Sequence, residues 1–246
     1  MDLLELDGLR ISWAQHGEDI VLLRALGEQQ GGFWIDVGAN DPVIDSVTQA
    51  FSLRGWSGVN VEPQSALFAK LQAVRPRDVN LQVAVSDRAG TLEFNELPAA
   101  HGRATANEVL AEQYRAAGQS LIKRTVKCVT LKEICEQHGG ARTIDFLKID
   151  VEGLELEVIR GGDFERFRPR VLVIECGVGH ETWHPLVLSL RYVLALDDGL
   201  NRFYVRAEEP QLLERLGWPA NVTDGWVRAE HADLIRGGRL GRWCSR

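Results

Sequence analysis

Apolar positions fall into short, nearly unbroken runs: Phe33-Trp34-Ile35-Asp36-Val37, Gly58-Val59-Asn60-Val61-Glu62, Val79-Asn80-Leu81-Gln82-Val83-Ala84-Val85, Ile144-Asp145-Phe146-Leu147-Lys148-Ile149-Asp150 and Val171-Leu172-Val173-Ile174-Glu175-Cys176. Val/Ile/Leu-rich runs of this length suit strands buried on both faces, as a parallel sheet requires. Helical periodicity lies around them. Residues 15–28 carry Ile20, Leu22, Leu23 and Leu26 and close at Gly31-Gly32, and residues 42–54 carry Val43, Val47, Ala50, Phe51 and Leu53. Residues 63–74 open on Pro63, which suits a first helical turn, and residues 154–160 end at Gly161-Gly162, a C-cap pattern. The alternating order predicts an α/β fold, a doubly wound and mostly parallel sheet with right-handed crossovers, and ligands bound beyond the carboxyl ends of its strands.

Residues 1–31 read as a helical cap on one domain spanning 1–246. Residues 97–122, polar, Ala-rich and holding His101-Gly102-Arg103, read as a lid or substrate loop, and residues 236–246 as a basic, frayed tail. The chain has 246 residues, 45% hydrophobic and 26% charged, an ordinary globular composition. Lys plus Arg number 28 against 35 Asp plus Glu, a formal charge of −7 that argues against a nucleic-acid partner. Cys128, Cys135, Cys176 and Cys244 form no CxxC pair, so neither a zinc ribbon nor a disulfide framework is signalled and a reducing compartment is expected. The acidic start Met1-Asp2-Leu3-Leu4-Glu5 lacks the pattern of a secretory signal, and no apolar run approaches the ~20 residues of a spanning helix. The expected location is the cytoplasm.

The chemistry concentrates at strand ends. Asp36-Val37-Gly38-Ala39-Asn40 closes the first strand and Glu62 the second; a glycine there admits a ligand to the backbone, and an acidic residue after the second strand accepts both ribose hydroxyl protons of a nucleoside. A dinucleotide cradle wants G-x-G-x-x-G, whereas Gly38 is followed by Ala39, Asn40, Asp41 and Pro42. Asp36 and Asp41 repel phosphate and suit a cation, which favours S-adenosylmethionine over a nicotinamide cofactor, with Asp36 at its amino-acid end and Gly38, Asn40 and Glu62 around it. Ser86-Asp87 follows the third strand, where an adenine amino group is read or a simple Asx turn forms. Asp150 and Glu175 end neighbouring strands and can act as a base toward a hydroxyl or hold a divalent metal; with two hard ligands in view the metal-free reading is preferred. His180 and His184 lack a third ligand for zinc, leaving His180 as a general base or a hydrogen-bonded loop residue.

Taken in order, Gln15-His16-Gly17-Glu18-Asp19, Trp34 to Pro42, Asp45-Ser46-Val47-Thr48, Gly58 to Pro63, Leu147-Lys148-Ile149-Asp150-Val151-Glu152-Gly153, Ile174-Glu175 and Asp198 to Tyr204 resemble the FkbM-type methyltransferases, in particular a glycan-modifying branch. That family usually places a serine before the glutamine of the first motif; this chain has Ala14 there and Ser12 two places earlier. The resemblance implies a class I methyltransferase (Rossmann-like) fold with a seven-stranded sheet, and methyl transfer from S-adenosylmethionine to a sugar hydroxyl of a glycan or glycosylated metabolite. It further implies closure over the cofactor by Gln15, Glu18 and Asp19, against the plain reading of a helix face, and acceptor contact by Asn201 and Arg202. Trp183, Trp218 and Trp226 either stack on a sugar or pack the core. Partners then include the glycan acceptor and glycosyltransferases of the same pathway. Two other functions fit these residues: a non-catalytic cofactor-binding module of a larger glycan-assembly protein, and O-methylation of a non-carbohydrate natural product.

Overall fold

A computed structural model describes residues 4–97, 104–177 and 179–236. Seven strands form the central sheet: β1 (Phe33–Val37), β2 (Ser57–Val61), β3 (Val79–Leu81), β4 (Phe146–Ile149), β5 (Val171–Glu175), β6 (Tyr192–Asp197) and β7 (Asn201–Arg206). Their order is β6-β7-β5-β4-β1-β2-β3. The five strands from β5 to β3 are parallel, while β7 runs antiparallel to both β5 and β6. The chain winds outward from β1 to β3 and then resumes on the other side at β4, so the crevice between β1 and β4 is the topological switch point, where open α/β sheets bind ligands.

Alternation within each strand divides its residues between two cores. Phe33, Ile35, Val37, Val59, Val61, Leu147 and Ile149 join one apolar cluster, and Trp34, Phe146, Val171 and Val173 the other. The second face shows how register builds a core. Trp34 lies opposite Gly58, where a Cβ would collide with the indole, and its Nε1–H donates to Asn60 Oδ1 at 3.0 Å. The same register sets Lys148 beside Asp36 one layer nearer the carboxyl ends.

Helices α1 (Glu18–Leu26), α2 (Gln49–Leu53), α3 (Ser65–Val74), α4 (Glu108–Ala116), α5 (Glu155–Arg160), α6 (His180–Ser189) and α7 (Gln211–Leu216) surround the sheet. Several elements differ from expectation. The first helix begins only at Glu18 because Gly17, at φ +77°, turns the chain into it. Only Gln49–Leu53 of the 42–54 stretch is helical, since Asp41 Oδ1 accepts from Val43 N and Ile44 N and Asp45 is left-handed at φ +54°. The run 79–85 divides: Val79–Leu81 stays in the central sheet, whereas Ala84–Ser86 joins a four-stranded sheet with Gly90–Glu96, Ala104–Thr105 and Ile122–Thr130. Gly161 caps α5 in a right-handed conformation; its lack of a Cβ is needed because the Ser86 carbonyl lies against it.

The expected N-terminal cap contains strands Glu5–Leu6 and Leu9–Ser12, which join Trp226–Arg228 in a three-stranded sheet, besides α1. Of the lid stretch 97–122, residues 98–103 lie outside the described residues, and the rest supplies Ala104–Thr105, α4 and the start of Ile122–Thr130. The 236–246 tail lies outside them from residue 237 on, Cys244 included. Among the described residues no helix is long and apolar enough to cross a membrane.

Candidate active site

A cavity of about 490 Å³ opens at the switch point. The ends of β5, β4, β1 and β2 present Glu175, Asp150, Gly38 and Glu62 in a row, and all four line it. Three steps between adjacent strands span roughly 14 Å, so a long ligand lies across the sheet edge with its two ends in different surroundings.

The β1 turn is built against its neighbours. Gly38 sits at φ +84°, and a Cβ there would overlap the Asp150 carbonyl oxygen. Its glycine is therefore demanded by the adjoining strand end, in addition to the ligand approach expected from the sequence. The N–H groups of Gly38 and Ala39 both donate to Val61 O at 3.0 Å, and that of Asn40 donates to Glu62 Oε2 at 3.0 Å. Three successive amides are thus taken inside the protein, where a pyrophosphate cradle would need them free. Glu62, 3% exposed, also accepts from Gln64 N at 2.8 Å, and burial pushes its carboxyl up to about 7. Each of its oxygens keeps a lone pair beyond the one that its backbone partner occupies.

Lys148 is the feature that strand-by-strand reading passed over. Its Nζ lies 3.3 Å from Asp36 Oδ1 and 3.2 Å from Asp150 Oδ2 and donates to Gly38 O at 3.0 Å. Burial works against this charge, but Asp150 and Asp36 outweigh it and hold the ammonium above the usual lysine range. Asp36 is 1% exposed; burial raises its carboxyl and Lys148 opposes the rise. Of the two carboxyls expected to suit a cation, Asp36 thus already shares one with Asp150, and Asp41 lies off the cavity with Lys70 Nζ at 2.9 Å. The signal was present: a lysine inside an apolar strand must be paired.

At the other end, carboxylate oxygens of Asp150, Glu152 and Glu175 lie within 4.8 Å of one another. Burial, then the charges of Asp150 and Glu152, push the Glu175 carboxyl up to about 9. Of the three, Glu175 is the carboxyl whose charged form this setting most disfavours. Glu152, also unforeseen, is left-handed at φ +53°, and Thr105 Oγ1 donates to its carbonyl at 2.7 Å. Ala104, Ala106 and Tyr114, from the expected lid, add wall on this side.

Of the positions singled out in the sequence, Gln15, Asp36, Gly38, Asn40, Glu62, Asp150 and Glu175 share the cavity. The others lie off it. Ser86 is buried in its ladder opposite Thr130 with its hydroxyl 3.4 Å from Asp87, while Val83, Ala84 and Val85 form the wall instead. Asp19 is wholly buried and bonds Ser12, which gives that hydroxyl a structural use. His180 is half-buried at the start of α6, off the cavity, with Glu181 at 3.6 Å. Asn201 is buried with its amide on Glu18, and Arg202 pairs with Asp197 at 2.8 Å over the Trp183 ring. Trp183 is core, Trp226 packs near Gly17, and Trp218 lies under Arg24.

A family model described as the methyltransferase FkbM domain matches residues 36–202, from the first strand-end aspartate to the arginine after Asn201. The chain belongs to the FkbM methyltransferase family. A curated relative, methyltransferase sdnD of Sordaria araneosa, is 30% identical over 139 residues, 48% of this chain and 51% of its own length. The chain thus spans about half the length of the curated relative it matches. Among solved structures, the FkbM methyltransferase of Methylobacillus flagellatus KT aligns with a TM-score of 0.48 at 15% identity, covering 72% of this chain and 44% of that one. The delta-N METTL16 MTase domain aligns with a TM-score of 0.33 at 15% identity, covering 82% of this chain and 90% of that one. The matched span contains the cavity residues Asp36, Gly38, Asn40, Glu62, Asp150 and Glu175.

Proposed function

We propose that this FkbM protein is a class I, Rossmann-like O-methyltransferase that moves a methyl group from S-adenosylmethionine to a hydroxyl of a sugar, in a glycan or glycosylated metabolite of the cytoplasm. The observation that carries the reading is one cavity with a nucleoside-type end at Glu62 and a carboxyl group of three at Asp150, Glu152 and Glu175. When bound, S-adenosylmethionine supplies a methyl group on a cationic sulfur, open to direct displacement by an oxygen nucleophile.

The chain's own groups divide the remaining work. Glu62 accepts from the ribose hydroxyls, and Asn40, whose N–H fixes Glu62, shapes the turn beside them. Lys148 holds Asp36 and Asp150 at fixed distances, so the donor end and the acceptor end are set by one buried ammonium. A sugar hydroxyl holds its proton tightly at neutral pH; Asp150, the ion-paired carboxylate, accepts it, while protonated Glu175 donates a hydrogen bond that orients the acceptor. A positioned base contributes about 10²- to 10⁴-fold, and alignment of the reactants up to ~7 to 11 kcal/mol. Glu152 adds a third carboxylate to the two seen in the sequence, and transfer is read as metal-free because Asp150 is already engaged by Lys148.

The test is incubation with radiolabelled S-adenosylmethionine and a panel of nucleotide-sugar and lipid-linked sugar acceptors, with and without chelator, followed by mass analysis. Label on a sugar oxygen, kept in chelator and lost in Asp150→Asn, is the expected result. Binding of NAD without binding of S-adenosylmethionine, read by calorimetry, overturns the proposal.

A further inference from the structure

Glu18 and Asp19 open α1, are both buried, and do not line the cavity. Carboxylates withdrawn from water persist where donors replace their hydration. Asp19 Oδ2 accepts from Trp13 N at 2.7 Å, and its Oδ1 from Ser12 Oγ at 2.7 Å and Ile20 N at 2.8 Å. Glu18 Oε2 accepts from His16 N at 2.7 Å. The two side chains therefore fold residues 13–17 back over the helix start, and Gln15, exposed in this loop, enters the cavity wall. Little slack is left at Gly17, where a Cβ would come within 2.8 Å of Ala220 Cβ.

One bond ties this loop to the far side of the chain. Asn201 Nδ2 donates to Glu18 Oε1 at 2.9 Å across 183 positions. Asn201 opens β7 opposite Glu175 and follows Leu200, another cavity residue, whose carbonyl accepts from Cys176 N at 2.7 Å. The Glu18–Asn201 bond thus joins two pieces of cavity wall, Gln15 and Leu200.

We propose that Glu18 and Asn201 are positioning residues, a buried clasp that holds Gln15 in the wall of the cavity, so that affinity for S-adenosylmethionine depends on a hydrogen bond whose atoms do not touch it. This rests on the reading of the cavity as the S-adenosylmethionine site. The bond has a polarity: both Glu18 oxygens accept, Oε2 from His16 N and Oε1 from Asn201 Nδ2, so Asn201 donates.

Polarity gives the test, read by calorimetry with S-adenosylmethionine well below the melting temperature, where a purely structural role leaves affinity unchanged. Asn201→Asp sets two carboxylates face to face and should weaken Kd by about tenfold or more. Adding Glu18→Gln reverses the pair: the new amide carbonyl accepts from His16 N and its NH2 donates to the carboxylate, which should return Kd to within about threefold of wild type. In a Gln15→Ala background Asn201→Asp should add little further loss. An unchanged Kd in folded Asn201→Asp, a loss that Glu18→Gln leaves in place, or an equal loss with and without Gln15 overturns the clasp. If Asn201→Asp is not obtained folded, Asn201→Ser, which strands Glu18 Oε1 without adding charge, is judged by its Kd and by the loss of its effect in Gln15→Ala. A wild-type chain that ignores S-adenosylmethionine refutes the cavity reading instead; the clasp is then decided by amide exchange at His16, expected to be fast in Asn201→Asp and slow again with Glu18→Gln.

Discussion

Replacing Lys148 by methionine keeps most of the side-chain volume and removes the one charge that holds the two ends of the cavity together. Three polar contacts vanish, to Asp36 at 3.3 Å, Asp150 at 3.2 Å and Gly38 O at 3.0 Å. Asp36, with a side chain 2% exposed, is left with Thr48 Oγ1 at 3.4 Å, whereas the Asp150 side chain is 33% exposed and recovers water. Stranding one partner of a buried pair costs about 3–5 kcal/mol, and the exposure of Asp150 puts this case near the lower end, about 3 kcal/mol. For a chain of this size that lowers Tm by roughly 6–12 °C. The pH dependence has a definite sign. Without the ammonium the buried Asp36 carboxyl rises further above its unfolded value, so the folded variant binds that proton more tightly and regains stability as pH falls, by about 1.4 kcal/mol per pH unit while this carboxyl is being protonated. Urea unfolding of both proteins at pH 8 and pH 5.5, followed by tryptophan fluorescence, should show a large difference that narrows at the lower pH. A difference under about 1 kcal/mol, or one equal at both pH values, would refute the idea that Lys148 compensates buried carboxylates.

Gly38→Ala should lower stability by at least the ~1–2 kcal/mol of a left-handed non-glycine residue and, by displacing the Asp150 carbonyl, abolish S-adenosylmethionine binding; calorimetry on the folded variant checks the second effect separately from the first. Glu175→Gln retains a neutral donor and should keep methyl transfer within about tenfold, whereas Asp150→Asn should lose about 10²- to 10⁴-fold; a reversed ranking in single-turnover assays would exchange the two roles. Because the folded-state carboxyl of Glu175 is raised to about 9, its stabilisation is complete below its ordinary value of 4.5 and lost as pH rises through about 9. Glu175→Gln should therefore flatten the alkaline fall in Tm that wild type shows between pH 6 and pH 9.5. Chelator should leave turnover unchanged, and restoration of a chelator-treated sample by magnesium would count against the metal-free reading.

The strand ends were legible because burial on both faces leaves an apolar run that stops where the backbone meets the cavity, and Asp36, Gly38, Glu62, Asp150 and Glu175 all follow from that rule. Register was not legible, and register decides what these groups are. Lys148 stands beside Asp36 only because β4 pairs with β1 in phase, and the Glu18–Asn201 bond exists only because β7 returns past α1. The 79–85 run failed for a related reason: one apolar stretch served two sheets, a division that pattern cannot show. Asn201 carried the right motif and the wrong direction, its amide facing a buried carboxylate rather than the cavity.

An acidic pocket was expected to select a cation by charge alone, yet Lys148 already meets Asp36 and Asp150, and burial disfavours the charged form of Glu175. What remains is Lys148 as the single cation in a wall that also holds Asp45, Glu62 and Glu152, among the described residues. Discrimination against diphosphate then comes as much from geometry as from charge. The amides of Gly38, Ala39 and Asn40 already donate to Val61 and Glu62, and turning them outward would break three hydrogen bonds at the strand end that holds Glu62. A dinucleotide would have to dismantle the turn it binds, whereas a sulfonium donor needs from that turn only carboxylates and shape.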